Sequence, residues 1–588
     1  MTAIACGFGL LTLLLTAYAS GALPHREMLM SYFENPLLVA LNCLPAVLFA
    51  WLFCFLFGRF YAGVLGSGVL CVGFALVNYY KLALRGDPFL PSDFVLLRTA
   101  GGIMSRYQFE LTNAVKFSLA ALLAATVFAL LLLRGKLKAR VRIIGGIVCL
   151  LAIFGVYRYV YMNNAVYVRT ANDAGINPWS ETEVSISRGF TLSFIRAIDD
   201  ALPRPPKGYT ARSAQKLLAD YDDADIPAER RVSVIGVMLE AFCDLTDYPV
   251  LAESKRVQEV YAPLHEIEKN AVSGRLITNI FAGGTVESEW EFLTGASRFD
   301  TFRTDTDSYV RYFTAQGYTA HYTHPGYQWF YDRENVNRYL GFEENLFTET
   351  GFDQFVDPVV AAWHSDKQLT DYLYDDFTRR SSDNFSFAVS YQNHGPYDST
   401  PAAKTYLTTA SGLSEESCNI INNYLYGVED TVQCYAKLLQ KLEERSEPVV
   451  VVLFGDHKPW LGNNNSVYTD MGISFDLGTV EGLKNYYATP YIIWANSAAR
   501  KTLGADFSGS GGDFSPCFLM TRLFDECGWT GPGFMQLSRE MRAISPVLSV
   551  TGQFLQDGTL TDTLDPDGQV FYSSYLAAQY YREKEYGR

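Results

Sequence analysis

The chain has 588 residues, 49% hydrophobic and 14% aromatic, a composition that excludes a disordered or low-complexity protein. Its 48 basic and 63 acidic residues leave a formal charge of −15, which excludes a nucleic-acid binder, because that function needs a basic face to neutralise phosphates. Mean hydropathy is +0.02, high for a soluble chain, and the apolar residues crowd ahead of Met162, so a membrane-anchored protein with one large globular domain is expected.

Five stretches predict membrane spans: about Thr2 to Leu23, Pro36 to Gly58, Tyr61 to Tyr80, Lys116 to Arg134, and from Arg142 through Met162. Each reaches or nearly reaches the length that crosses about 30 Å of hydrocarbon at about 1.5 Å per residue. The first has no basic n-region and four more follow it, which argues against a cleaved signal peptide. Arg134, Lys136, Lys138, Arg140 and Arg142 fill the turn between the last two spans, so that turn is expected in the cytoplasm and everything after Met162 outside. The loop from Lys81 to Lys116, opening KLALRGDPFLPSDF, then also falls outside, despite its own basic residues. Of the ten cysteines, Cys517 and Cys527 are the pair expected to bridge if the compartment oxidises.

The transmembrane region is thus 1–162. Residues 163–229, with the Pro-rich LPRPPKGY from Leu202 to Tyr209, read as an extracytoplasmic, partly helical linker, and 230–588 as the catalytic domain. There the pattern changes to short β-branched runs separated by helical stretches such as Cys418 to Leu442. VSVIGVML (Val232 to Leu239) and PVVVVLF (Pro448 to Phe454) are continuous apolar runs, as expected of strands buried on both faces of a parallel sheet. FSFAVS (Phe385 to Ser390), LITNIF (Leu276 to Phe281), TAHYTH (Thr319 to His324) and YIIWA (Tyr491 to Ala495) are shorter candidates. Strands alternating with helices predict an α/β domain with a mostly parallel sheet.

Chemistry follows the strands. After VSVIGVML comes Glu240; after LITNIF comes AGGT, ending in Thr285 ahead of the helical VESEWEFLTG; after FSFAVS comes YQNHGPY with His394. After VVVVLF comes GDH, with Asp456 and His457, and after TAHY comes THPGYQWFYDR, with His324 and Arg333. Singly, each has an ordinary structural reading: a strand-end cap, an Asx-type turn, a helix N-cap, a structural histidine, a surface ion pair. Together they gather ligand-type residues where open α/β sheets bind ligands, in a chain with only 7 histidines. Glu240, Asp456 and His457 suit Mn²⁺, Zn²⁺ or Mg²⁺, and the Thr285 hydroxyl would complete the shell and serve as a nucleophile. Arg333 and His394 would hold phosphate oxygens. Such a set suits phosphoryl or sulfuryl transfer through a covalent threonine.

Five spans, a basic last cytoplasmic turn, a Pro-containing tether and LE, GGT, NHGPY and FGDH together resemble the lipoteichoic acid synthase family of membrane phosphoglycerol transferases. The resemblance implies a sulfatase-like (alkaline-phosphatase-like) outer domain on a five-helix membrane region, outside the cell membrane. It implies Mn²⁺ on Glu240, Thr285, Asp456 and His457, with Thr285 as nucleophile, and substrate contacts from Arg333, His394, His324 and Tyr331. The implied donor is phosphatidylglycerol and the implied acceptor a glycolipid or cell-wall polymer. Tyr331 stands where the family has Trp, and Gly326 where it has an acidic residue, which puts the head group or the acceptor in question. Phosphoethanolamine transfer by a related fold is an alternative, and a catalytically silent relative is another. A formylglycine sulfatase is disfavoured because no C/S-x-P-x-R segment stands at Thr285.

Overall fold

The computed structural model describes residues 1–19, 25–85, 88–96, 111–172, 181–199, 205–297, 302, 305–328, 330–352, 365–380, 383–462, 465–556 and 558–585. It divides into two compact units, Met1–Arg204 and Pro205–Arg588.

Among the described residues of the first unit, five helices are long and apolar enough to cross a membrane: Thr2–Ala19, Pro36–Phe57, Phe60–Ala83, Asn113–Leu132 and Ala139–Tyr161. The second is bounded by Asn35, whose side chain accepts from the Leu38 N–H at 3.2 Å, and by Gly58 in the left-handed region. In the last span only 6% of the most apolar window is buried, and Ile143, Ile147, Leu151 and Phe154 are all exposed. A soluble helix would hide such a surface; a lipid-facing one need not. Arg59 pairs with Lys136 across a β-bridge, so Arg59 joins the basic residues of the 134–142 turn at one end of the bundle.

Residues 163–229 divide between the units. The helix Phe190–Arg196 packs on the first and second of its long helices. The Asn42 amide, inside the second span, donates to the Arg188 carbonyl at 2.9 Å and accepts from the Leu192 N–H at 3.1 Å. The helix Ala211–Leu218 instead packs on Pro566–Glu585 in the second unit.

The second unit is built on an eight-stranded sheet of β1 (Ser233–Leu239), β2 (Val272–Ile277), β3 (Thr319–Thr323), β4 (Glu344–Leu346), β5 (Asn384–Val389), β6 (Val449–Gly455), β7 (Ala488–Ala495) and β8 (Gly509–Phe514), in the order β4-β3-β5-β1-β6-β7-β2-β8. Only β7 runs against the rest. The period of two sorts side chains into two layers. Val234 and Met238 with Val450, Val452 and Phe454 face one set of helices, while Ile235, Val237 and Leu239 with Val449, Val451 and Leu453 face the other. Both faces are therefore covered, which is why β1 and β6 are continuous apolar runs.

The expected strands form, with one displacement. β2 ends at Ile277, so most of LITNIF is not strand but the loop that leads to Thr285. Cys517 and Cys527 are free, a correction to the expected bridge. They stand on consecutive helices, Pro516–Phe518 and Leu519–Cys527, and ten residues of helix span about 15 Å, too far for a disulfide.

Candidate active site

β3, β5, β1 and β6 are neighbours, and their carboxyl ends deliver His324, the 390–394 loop, Glu240, and the pair Asp456 and His457. Glu240, Asp456 and His457 are buried, and each turns a ligand atom into one space, with those atoms within 4.8 Å of one another. Neighbouring bonds aim them. Asp456 Oδ1 accepts the backbone N–H of Ala241 at 2.8 Å and of His457 at 2.6 Å. The Glu240 N–H donates to Ser390 Oγ at 2.9 Å. With His457 Nδ1 donating to the Lys458 carbonyl at 3.0 Å, its Nε2 lone pair lies 3.3 Å from Asp456 Oδ2 and 3.8 Å from Glu240 Oε1.

Asp456 Oδ2 is buried without a hydrogen-bond partner. Burial, and next the Asp456 carboxylate, push Glu240 up to about 8. An orphaned carboxylate oxygen, a second carboxylate held off its charge and an imidazole lone pair are jointly satisfied by a divalent cation, so the residues fit one.

Thr285 is the first residue of the helix Thr285–Thr294, and Gly284, left-handed at φ 79°, takes the cap position. The hydroxyl is thus not spent on the ordinary capping role of a threonine before a helix. It acts on the Glu240 carboxylate, favouring its charged form. One turn on, Ser288 Oγ donates to the Asp456 carbonyl at 2.7 Å and ties the helix to the β6 turn.

Arg333 opens the helix Arg333–Leu340, directly after Tyr331 and Asp332, whose φ angles of 57° and 55° are uncommon for non-glycine residues. Its guanidinium is buried, acts on the Glu240 carboxylate, lies 5.2 Å from the Tyr331 ring centroid, and is paired with Glu289. His324 is buried, its Nδ1 donating to the Val389 carbonyl at 3.0 Å. A Cβ at position 326 would stand 2.3 Å from His324 Nε2, so this placement of the ring requires Gly326. His394 is exposed, with Nδ1 donating to the Gly395 carbonyl at 2.7 Å. The structure thus gathers Glu240, Thr285, Asp456 and His457 in one buried cluster and sets Arg333 and Tyr331 beside it. His324 and His394 flank Tyr391 with ring centroids 5.6 and 5.4 Å away.

Tyr391 is one of the residues that sequence reasoning missed; Ser288, Glu289 and Ser390 are others. Ser288 and Glu289 had a usable signal, since three and four residues after Thr285 they must share its helix face. Tyr391 had none beyond its place beside His394.

The 390–394 loop is held from behind. Asn393 Nδ2 donates to Thr431 Oγ1 at 2.9 Å, which donates to Asp366 Oδ2 at 2.5 Å. Burial pushes Asp366 from 3.8 to about 7, and its Oδ1 has no hydrogen-bond partner. A carboxyl raised on folding stabilises fully below its unfolded value, and that stability is lost as pH rises through about 7. Asp366→Asn keeps an acceptor for Thr431 and removes the charge. Its thermal unfolding midpoint should exceed that of the wild type at pH 8, by an amount worth on the order of a few kcal/mol, with the gap closing toward pH 5.

A mostly parallel sheet with a cation-ligand set at its carboxyl edge makes the second unit an α/β domain with a candidate metal site, and that domain is sulfatase-like. The Sulfatase family model matches residues 252–519, a span that includes Thr285, Arg333, Asp456 and His457. A Rhizobium meliloti (strain 1021) protein whose name assigns it provisionally to cyclic beta-1,2-glucan modification is 26% identical over 530 residues, 85% of this chain and 79% of that protein. The capsular polysaccharide biosynthesis protein RkpI of the same organism is 25% identical over 236 residues, 38% of this chain and 40% of that protein. Among solved structures, the chain is similar to the Streptococcus pyogenes phosphoglycerol transferase GacH in complex with sn-glycerol-1-phosphate (18% identity, TM-score 0.47, 64% of this chain and 94% of that one). It is also similar to the lipoteichoic acid synthase LtaP from Listeria monocytogenes (19% identity, TM-score 0.44, 63% of this chain and 97% of that one).

Proposed function

We propose that the protein is a membrane phosphoglycerol transferase that moves glycerol phosphate from phosphatidylglycerol, through a covalent Thr285 intermediate, to a hydroxyl on a glycolipid, teichoic-acid-type polymer or cell-wall polysaccharide. The observation that carries this reading is the buried cluster of Glu240, Asp456 and His457, with the Thr285 hydroxyl, at a helix amino terminus, acting on Glu240. The motif resemblance supports the phosphoglycerol donor, and the name of the glucan-modification relative supports a saccharide acceptor.

Glu240, Asp456 and His457 would hold the cation, of which Mn²⁺, Mg²⁺ and Zn²⁺ all match the donor set. When bound, it supplies positive charge that makes the Thr285 hydroxyl easier to deprotonate. Thr285 Oγ1 attacks phosphorus, the bond to the diacylglycerol oxygen breaks, and diacylglycerol leaves with a proton. An acceptor hydroxyl then attacks the same phosphorus, its proton passes to Thr285, and the threonine is restored. Arg333 and the first N–H groups of the Thr285 helix neutralise the phosphoryl oxygens.

The basic end of the bundle belongs in the cytoplasm and the catalytic domain outside. A cysteine replacing Lys138 should therefore be shielded from an impermeant thiol reagent in intact cells, and one replacing the exposed Glu415 should be labelled.

Full-length protein in detergent with Mn²⁺ and fluorescent-tailed phosphatidylglycerol tests the reaction, with matched phosphatidylethanolamine in parallel. Labelled diacylglycerol released from phosphatidylglycerol alone supports the reading. Release from phosphatidylethanolamine alone transfers the assignment to ethanolamine transfer, and release from neither contradicts it.

A further inference from the structure

The helix Thr285–Thr294 presents two functional side chains one turn apart, because residues four apart share a helix face. Thr285 turns to Glu240. Glu289 is fully buried, and its Oε2 accepts from both Nε (3.3 Å) and Nη2 (3.0 Å) of Arg333. Arg333 is itself 1% exposed, and among the described residues Glu289 is its ion-pair partner. A buried guanidinium without a counter-charge is strongly disfavoured, so Glu289 is what permits Arg333 to stay dry beside the cluster. Two donors on one oxygen also set the plane and heading of the guanidinium, which one contact to a flexible lysine would not. One rigid helix therefore places both the Thr285 hydroxyl and, through Glu289, the guanidinium.

The geometry points to Glu289 as a positioning residue that holds Arg333 at a set distance from Thr285, so that a tetrahedral phosphoryl group gripped by the guanidinium presents its phosphorus to the hydroxyl. This rests on the reading of the site as one of phosphoryl transfer. Glu289 touches no substrate; it acts through Arg333.

The test is the binding of inorganic phosphate to full-length, Mn²⁺-loaded protein in detergent, followed by calorimetry. Glu289→Gln should weaken phosphate binding by about tenfold or more while Mn²⁺ affinity stays within about twofold. Arg333→Ala should lose phosphate binding. Added guanidinium ion should restore part of it in Arg333→Ala and none in the double variant Arg333→Ala/Glu289→Gln, because only an intact Glu289 can seat the free cation. If Glu289→Gln alone fails to fold, the double variant, which removes both buried charges, carries the comparison. Wild-type phosphate affinity in Glu289→Gln, or equal rescue in both backgrounds, overturns the proposal. No phosphate binding by the wild type overturns it together with the phosphoryl-transfer reading. Phosphate binding without any Thr285-dependent turnover overturns that reading alone.

Discussion

Thr285→Ala is expected to lower kcat by at least about 10³-fold while leaving the fold and the cation site in place. The helix does not depend on this side chain, since Gly284 takes the cap position and the threonine makes no capping bond. Ser288 still ties the helix to the Asp456 carbonyl. Loss of activity with an unchanged unfolding midpoint and Mn²⁺ affinity within about tenfold of wild type would thus be a chemical effect, because three of four proposed ligands remain. Thr285→Ser keeps the hydroxyl and should recover part of the rate. A Thr285→Ala variant that still turns over would remove the nucleophile from the account.

Loss of the cation should be equally severe. Asp456→Asn retains one oxygen for the Ala241 and His457 N–H groups but replaces the orphaned Oδ2 with an amide that cannot ligate. Activity should fall by about 10³-fold or more, and chelation of the wild type should do the same, reversibly on adding Mn²⁺. The pH dependence has a definite sign. With Glu240 pushed up to about 8 by burial and by Asp456, a cation must displace a proton from it at neutral pH. Cation affinity should rise by about tenfold per pH unit below pH 8 and level off above it. Affinity that is flat between pH 6 and pH 8 would contradict this.

Most of the fold and of the central cluster was legible in the sequence because both follow from local pattern. Continuous apolar runs mark β1 and β6, and the residues directly after them, Glu240, Asp456 and His457, can only lie at the carboxyl edge. The same logic is weaker where pattern and topology part. β8, GSGGDF, is too glycine-rich to read as a strand; it forms because β2 offers it a parallel edge. LITNIF is apolar through Phe281, yet its last residues are buried as loop against aromatic neighbours such as Tyr486, so hydrophobicity alone placed the strand end four residues late. Arg333 carried a signal as a ligand type but none for its partner. Helix spacing in VESEWEFLTG puts Glu289 on the face of Thr285, but nothing in it names the distant arginine that Glu289 meets, or the Asn279 amide N–H and Cys517 backbone N–H that Glu291 takes. Such pairings are set by how elements pack in three dimensions.

The measurement that bears most directly on the central claim is peptide mass spectrometry of full-length protein quenched during turnover with phosphatidylglycerol and Mn²⁺. A covalent intermediate predicts the mass of a glycerophosphoryl group on the peptide containing Thr285, absent from Thr285→Ala and discharged when an acceptor saccharide is added. Sustained diacylglycerol release with Thr285 unmodified at every quench time would contradict it, and would point to direct transfer or hydrolysis instead.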